Sequence, residues 1–432
     1  MSEAIKTLKS ILHEVVRWKY FILICFITAF IIRMSWVYFV DAELTSDAIR
    51  YYKSGVEIST GKGYLANGAP TAYFPVGYPA FLGLIFAVFG PSVFIGKISN
   101  IILSVGILFF SYYISKRLFN SELVGRITLL ILSFYPNHIA YCSLLLSETL
   151  FLFLLLLGTM LLIEGKHGLW LALASGTVFG LTCLVKPQAI FIPAIFFGVS
   201  HITNVRKKVF LKHLTLFVIV HISMITTILP WVVRNYRVFN KFVLISTNGG
   251  INLVIGNNPY ATGKITGYND KIRAMIDAPN EYEREKKAYT VALAYIGKQP
   301  LETIRLIPKK LGYLYLRDTD GANTNIVGTS SIEDKMRRPL FLFKILSQFY
   351  YMLIMMLFLL SIYVLFNKRR NKSRVQPLPT LGLWIVIYFT FIYTVFFGDS
   401  RFHFPMIPWI VMYVGGLVEL FFGRVSLNGD SI

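Results

Sequence analysis

The chain has 432 residues, of which 55% are hydrophobic and only 15% charged, and its mean hydropathy is +0.60. Those values exclude an ordinary soluble domain and place the protein in the membrane class. The formal net charge of +21 does not point to nucleic acid, because the basic residues fall in short loops between apolar runs, where they set membrane orientation.

The apolar runs are long enough to cross about 30 Å of hydrocarbon. The first, Trp18 to Val40, is too long for a cleaved leader and lacks a small-residue cleavage site, so it is expected to remain as a helix. The basic segments Lys6 to Lys19, Lys116 to Arg126, Arg206 to Lys212 and Lys368 to Arg374 are placed in the cytoplasm. The spans then run 18–40, 94–115, 124–142, 148–163, 169–185, 188–201 and 213–233, followed by 342–366, 380–397 and 402–423. Lys186-Pro187 forms the outer tip of a hairpin. Tyr78 to Gly90 is about a dozen apolar residues, the length of a half-inserted helix.

The expected fold is all-α and polytopic, with about 10–11 transmembrane helices. Residues 1–233 form an N-terminal module with its first outer loop at 41–79. Residues 234–341 form a small α-rich outer domain, and residues 342–432 a C-terminal module with both chain ends cytoplasmic. Within the outer domain the spacing predicts helices over 281–297 and about 301–316, the second started by Pro300.

Charges collect at the outward helix ends: Asp47, Glu148, Lys186, Arg234, Asp399 and Arg401, with Arg33 in the outer half of the first span. Asp47 is either a catalytic acid, with Tyr51 one turn on, or an N-terminal carboxylate of a short helix. Asp41 and Glu43 compete for any such role. Glu148 interrupts a long apolar stretch, so it either faces a polar partner or serves as a helix-start acid beside Ser147. Lys186 and Arg234 are candidate phosphate ligands or interfacial anchors. His138, His201, His213, His221 and His403 show no ligand spacing and are read as structural, His403 least securely because Asp399 and Arg401 adjoin it. Cys25, Cys142 and Cys183 lie in apolar runs, fit no metal site, and are read as small core residues.

Basic groups near the outer leaflet could hold a lipid-linked phosphate, and a carboxylate above them could take a proton from an acceptor hydroxyl. A secondary transporter or lipid-linked glycan flippase is the alternative, but its charges belong near the bilayer midplane.

The chain resembles the GT-C membrane glycosyltransferases, specifically the family 39-like branch of protein O-mannosyltransferases and lipid A aminoarabinose transferases. The resemblance rests on Asp47 with Tyr51, Gly61-Lys62-Gly63-Tyr64, Pro75-Val76-Gly77-Tyr78-Pro79 and Leu146 to Phe151. It continues through Lys186-Pro187, Pro230 to Asn235, Asn248-Gly249-Gly250 with Gly256-Asn257, and Arg401-Phe402 before Pro405. It implies that Asp47 is the catalytic carboxylate, that Glu148 lines the same site, and that the donor is a sugar on polyprenyl phosphate. Lys186, Arg234, Arg401 and Arg33 would then bind the donor phosphate, and Tyr51, Tyr64, Tyr73 and Tyr78 would line the substrate loop. The acceptor would be an envelope glycan, lipid or protein, reached at the outer face of a bacterial inner membrane. No cofactor is called for, although a divalent metal is compatible with the reaction.

Overall fold

The structure is a computed structural model. It describes residues 7, 10, 11, 14–16, 18–40, 42–165, 168–203, 207–265, 269–328, 334–370 and 380–422. Within these, only the backbone is described at 200–203, 207–210, 334–337, 365, 366 and 368–370. Asp41, the loop 371–379 and the side chain of His201 therefore lie outside the described residues, as do much of the basic runs at Lys6 to Lys19 and Arg206 to Lys212 and most side chains of Lys368 to Arg374.

The described chain is helical apart from one small hairpin. Its helices are α1 (Phe21–Phe39), α2 (Asp47–Ser59), α3 (Gly77–Phe89), α4 (Val93–Phe119), α5 (Glu122–Ser133), α6 (Pro136–Ala140) and α7 (Ser147–Gly165). Then come α8 (Leu169–Val185), α9 (Ile192–Thr203), α10 (Lys207–Phe239), α11 (Gly249–Gly256), α12 (Asp270–Ile276), α13 (Glu281–Lys298) and α14 (Pro300–Tyr315). The chain ends with α15 (Asp320–Gly328), α16 (Asp334–Arg370), α17 (Leu381–Val395) and α18 (Ile407–Phe422), the last preceded by a 3₁₀ turn at Ser400–Met406. Among the described residues, six stretches are long and apolar enough to cross a membrane: Phe21–Phe39, Val93–Phe119, Ser147–Gly165, Leu211–Phe239, Arg338–Val364 and Ser400–Phe422. Four shorter apolar helices, including Gly77–Phe89 and Leu169–Val185, accompany them. The protein is an all-α polytopic membrane protein.

One expected span is corrected. The run 124–142 is not a single helix: α5 stops at Ser133, Tyr135 is extended, and Pro136 begins the five-residue α6. Proline disfavours helical backbone at the residue before it. The break frees the last carbonyls of α5, and Arg33 satisfies them. Its guanidinium donates to Leu132 O at 3.2 Å, Ser133 O at 3.0 Å and Ala29 O at 3.1 Å, and its Nε donates to Ser104 Oγ at 2.8 Å.

The first loop is ordered. β1 (Leu65–Ala66) pairs antiparallel with β2 (Ala69–Pro70) through Asn67 and Gly68, both at positive φ. An Asn-Gly pair in that region favours a tight hairpin turn. α2 lies on α3 because Gly55 removes a side chain that would meet Leu82 Cβ at 2.8 Å. Gly77 does the same against the end of α8, where a Cβ would stand 2.6 Å from the Val185 amide nitrogen. That close approach sets the first loop beside Lys186.

The segment between α10 and α16 has its own small core. Ile251, Val254 and Ile255 of α11 pack with Ile272 and Ile276 of α12 and Ala288 and Ala292 of α13. Phe397 joins this core, and Tyr73 and Phe402 pack against it. It therefore touches both the first loop and the segment that carries Arg401. Cys25, Cys142 and Cys183 are buried with free thiols.

Candidate active site

Four chain segments converge on one ion network. Asp47 is the first residue of α2 and Glu148 the second of α7. Lys186 follows α8 in an extended conformation that Pro187 enforces, which turns its side chain out of the helix direction. Arg401 is the second residue of the 3₁₀ turn before α18, its amide donating to Asp399 Oδ1 at 2.9 Å. Asp47 and Glu148 therefore both occupy the helix-start positions that the sequence allowed for them.

Arg401 grips Glu148 with two nitrogens, Nε to Oε1 at 2.5 Å and Nη2 to Oε2 at 3.2 Å. Its Nη1 reaches Asp47 Oδ2 at 3.0 Å. Lys186 Nζ donates to Glu148 Oε1 at 2.6 Å. The side chains are graded in exposure, with Glu148 at 0%, Lys186 at 15%, Arg401 at 26% and Asp47 at 32%. Two carboxylates and two cations thus balance in formal charge, and all stand at helix ends rather than at mid-helix.

Aromatic rings wall this network. Tyr51, one turn after Asp47, packs 5.2 Å from Tyr78 and 5.4 Å from Phe74 between ring centroids. Burial pushes the Tyr51 phenol above its usual range and the Asp47 and Glu148 carboxylates add to this, while Arg401 opposes it. Tyr51 is therefore a protonated hydrogen-bond donor at neutral pH. Tyr73 packs 5.0 Å from Phe74, and Tyr64 donates to Phe74 O at 3.1 Å.

The wall is tied down from outside. Arg234 donates to Thr71 O at 2.8 Å and Tyr64 O at 3.1 Å, and lies 4.7 Å over Trp231. Glu281 of α13 accepts from Thr71 Oγ1 and the Ala72 amide, both at 2.7 Å. The phosphate role expected of Arg33 is set aside, since its donors are spent on Ser104 and backbone carbonyls in the core. Arg234 holds the wall rather than the network. His403 is buried, with Nδ1 2.5 Å from Leu314 O and Nε2 3.0 Å from Asp318 Oδ1, between the rings of Tyr315 and Tyr351.

Sequence reading missed Arg50. It stands one turn from Asp47, with its guanidinium 5.0 Å over Phe74 and 5.4 Å over Tyr73, and has no carboxylate in ion-pair range among the described residues. The signal was available in Asp47-Ala48-Ile49-Arg50, since i,i+3 residues share a helix face. No group of three or more His, Cys, Asp or Glu that could hold a metal ion occurs among the described residues. Asp47 and Glu148 are both engaged by cations.

A family model described as dolichyl-phosphate-mannose-protein mannosyltransferase matches residues 74–231. That stretch contains Tyr78, Glu148 and Lys186, and it supports the resemblance to GT-C glycosyltransferases. Among solved structures the chain is similar to ArnT from Cupriavidus metallidurans bound to undecaprenyl phosphate, at 14% identity and a TM-score of 0.43. The alignment covers 92% of this chain and 76% of that one. The apo form of the same ArnT aligns at 14% identity with a TM-score of 0.41 and the same coverage. No curated protein matches the chain in sequence.

Proposed function

We propose that the protein is a glycosyltransferase that moves a sugar from a polyprenyl-phosphate donor to a hydroxyl of a cell-envelope acceptor at the outer face of the membrane. The observation that carries this reading is the convergence of Asp47, Glu148, Lys186 and Arg401 from four separate segments at helix ends. The match to a family named for dolichyl-phosphate-mannose transfer supports the donor class.

In this reading Arg401 and Lys186 receive the donor phosphate, with Glu148 behind them to hold both cations in place. Asp47, the most exposed member, takes the proton of the acceptor hydroxyl. The acceptor oxygen forms a bond to the anomeric carbon while the carbon–phosphate-oxygen bond breaks, and its electron pair leaves on the phosphate. The two cations stabilise the charge that develops there. A single displacement of this kind inverts the anomeric centre. Tyr73, half-buried at the wall, supplies a ring face and a hydroxyl suited to a sugar, with Tyr51 and Tyr78 buried behind it.

The test has two parts. Mass spectrometry of surface glycans and glycolipids from cells with and without the protein should show one glycan lost without it. In purified protein, Asp47→Asn should slow transfer by about 10²–10⁴-fold with the protein still folded, as loss of a general base does. Near-wild-type turnover in Asp47→Asn, with activity abolished in Glu148→Gln, would reassign the base. Glycans unchanged in the absence of the protein, together with substrate movement into vesicles, would favour the transporter.

A further inference from the structure

We propose that Asp47 and the donor phosphate compete for Arg401, so that donor binding itself releases the catalytic base. The inference rests on the reading of Arg401 and Lys186 as the phosphate cradle.

Charge balance is the first argument. Arg401 and Lys186 are matched by Asp47 and Glu148. A phosphodiester entering beside Arg401 and Lys186 brings a negative charge next to the Asp47 and Glu148 carboxylates, with Asp399 also adjoining Arg401. Exchange of one carboxylate for the phosphate on Arg401 relieves that like-charge contact.

Geometry selects which carboxylate leaves. Glu148 is fully enclosed and held through three contacts from two cations. Asp47 is the most exposed of the four and is held to Arg401 by one contact of 3.0 Å. Glu148 cannot leave without stranding a charge in the protein interior, whereas Asp47 moves only from a half-exposed pair into water.

The backbone next to Asp47 fits this assignment. Ser46 sits at φ +47°, unusual for a residue with a side chain, and its hydroxyl does not cap α2. Nothing in the side chain of Ser46 fixes Asp47 in its present position. The Arg401 ion pair is the contact that holds the Asp47 carboxylate.

The chemical consequence joins the two halves of the reaction. While Arg401 holds Asp47 Oδ2 at 3.0 Å, that oxygen is engaged by the guanidinium. Asp47 is free to accept the acceptor proton when phosphate has taken its place on Arg401. Acceptor deprotonation is thereby tied to an occupied donor site, which would limit loss of the activated sugar to water.

The competition makes a prediction opposite to that for a simple binding residue. The probe is undecaprenyl phosphate, titrated against the full-length protein in lipid nanodiscs. Asp47→Asn and Asp47→Ala should bind it about three- to tenfold more tightly than wild type, the scale of losing one partly exposed ionic competitor. Asp47→Glu, which keeps the charge, should bind within about twofold of wild type by the same reasoning. Arg401→Gln and Lys186→Ala should bind more weakly. Equal or weaker binding by folded Asp47→Asn and Asp47→Ala overturns the competition. If Asp47→Asn is inactive in transfer with wild-type affinity, the proposed function stands and the competition falls. If wild type itself does not bind the probe, the donor reading falls and takes this inference with it.

Discussion

Two arginines, Arg33 and Arg401, make opposite uses of the same side chain. Arg33 is fully buried and donates to one serine and three backbone carbonyls. Arg401 is a quarter exposed and donates to two carboxylates. Neutral dipoles in the core give Arg33 nothing to exchange, so its charge serves the bundle. Carboxylates at an open helix end give Arg401 partners that another anion can replace. An intramembrane cation is thus read by its partners and by the solvent at them, and not by its depth in the sequence.

The comparison breaks most sharply by removing each guanidinium. Arg401→Gln should lower transfer by about 10²–10³-fold, as the loss of one preorganised electrostatic stabiliser does. Arg33→Met should leave the carbonyls of Leu132 and Ser133 unpaired and cost about 2–4 kcal/mol of stability. Its folded fraction should transfer at close to the wild-type rate. The checks are turnover per folded molecule and thermal unfolding in nanodiscs. A stable but inactive Arg33→Met would return Arg33 to the site.

Arg33 also shows what the sequence concealed. Its position in the second half of α1 was legible, but its facing was not. The carbonyls that hold it exist because α5 breaks before Pro136, and the apolar run 124–142 disguised that break. The two misjudgements are one event. Elements with a local cause were legible: Pro300 starts α14, α13 covers 281–298, and the short run at 77–89 forms one helix. The members Asp47, Glu148, Lys186 and Arg401 were legible as charges at helix ends. Their pairing was not, because Glu148 meets Arg401 across 253 positions of chain. Arg50 was overlooked because its partners are rings rather than charges.

A smaller contrast separates the cations of the cradle and the wall. Lys186→Ala should raise the donor KM by about tenfold or more, since a buried charge-assisted bond is worth roughly 1.5–3 kcal/mol. Arg234→Ala loosens Thr71 and Tyr64 and loses its stacking on Trp231, which should cost about two- to fivefold. The loss should be spread over KM and kcat. Steady-state kinetics against donor concentration reads both. A larger donor-KM effect in Arg234→Ala than in Lys186→Ala would place the phosphate at the wall.

The mildest expected effect lies in the α11–α13 core, outside the spanning helices. Glu285 of α13 accepts from the Gly250 amide at 2.9 Å, at the start of α11. Burial pushes its carboxyl up to about 7, despite the opposing backbone amides of Gly250, Ile251 and Gly249, and nearby Glu281 raises it further. The folded state therefore holds a proton that the unfolded chain, at an ordinary carboxyl value, has already released. The resulting stability is present in full below the unfolded value and is lost as pH rises towards 7. Above that the folded protein carries a buried charge. The melting temperature of this segment, followed by hydrogen exchange at α11 and α13 or by a local fluorophore, should fall by about 2–4 °C between pH 5 and 8. Glu285→Gln keeps an acceptor for the Gly250 amide and removes the titration, so its profile should be flat over that range. A wild-type profile that is flat, or that rises with pH, would mean that the three amides at the start of α11 hold Glu285 ionised throughout.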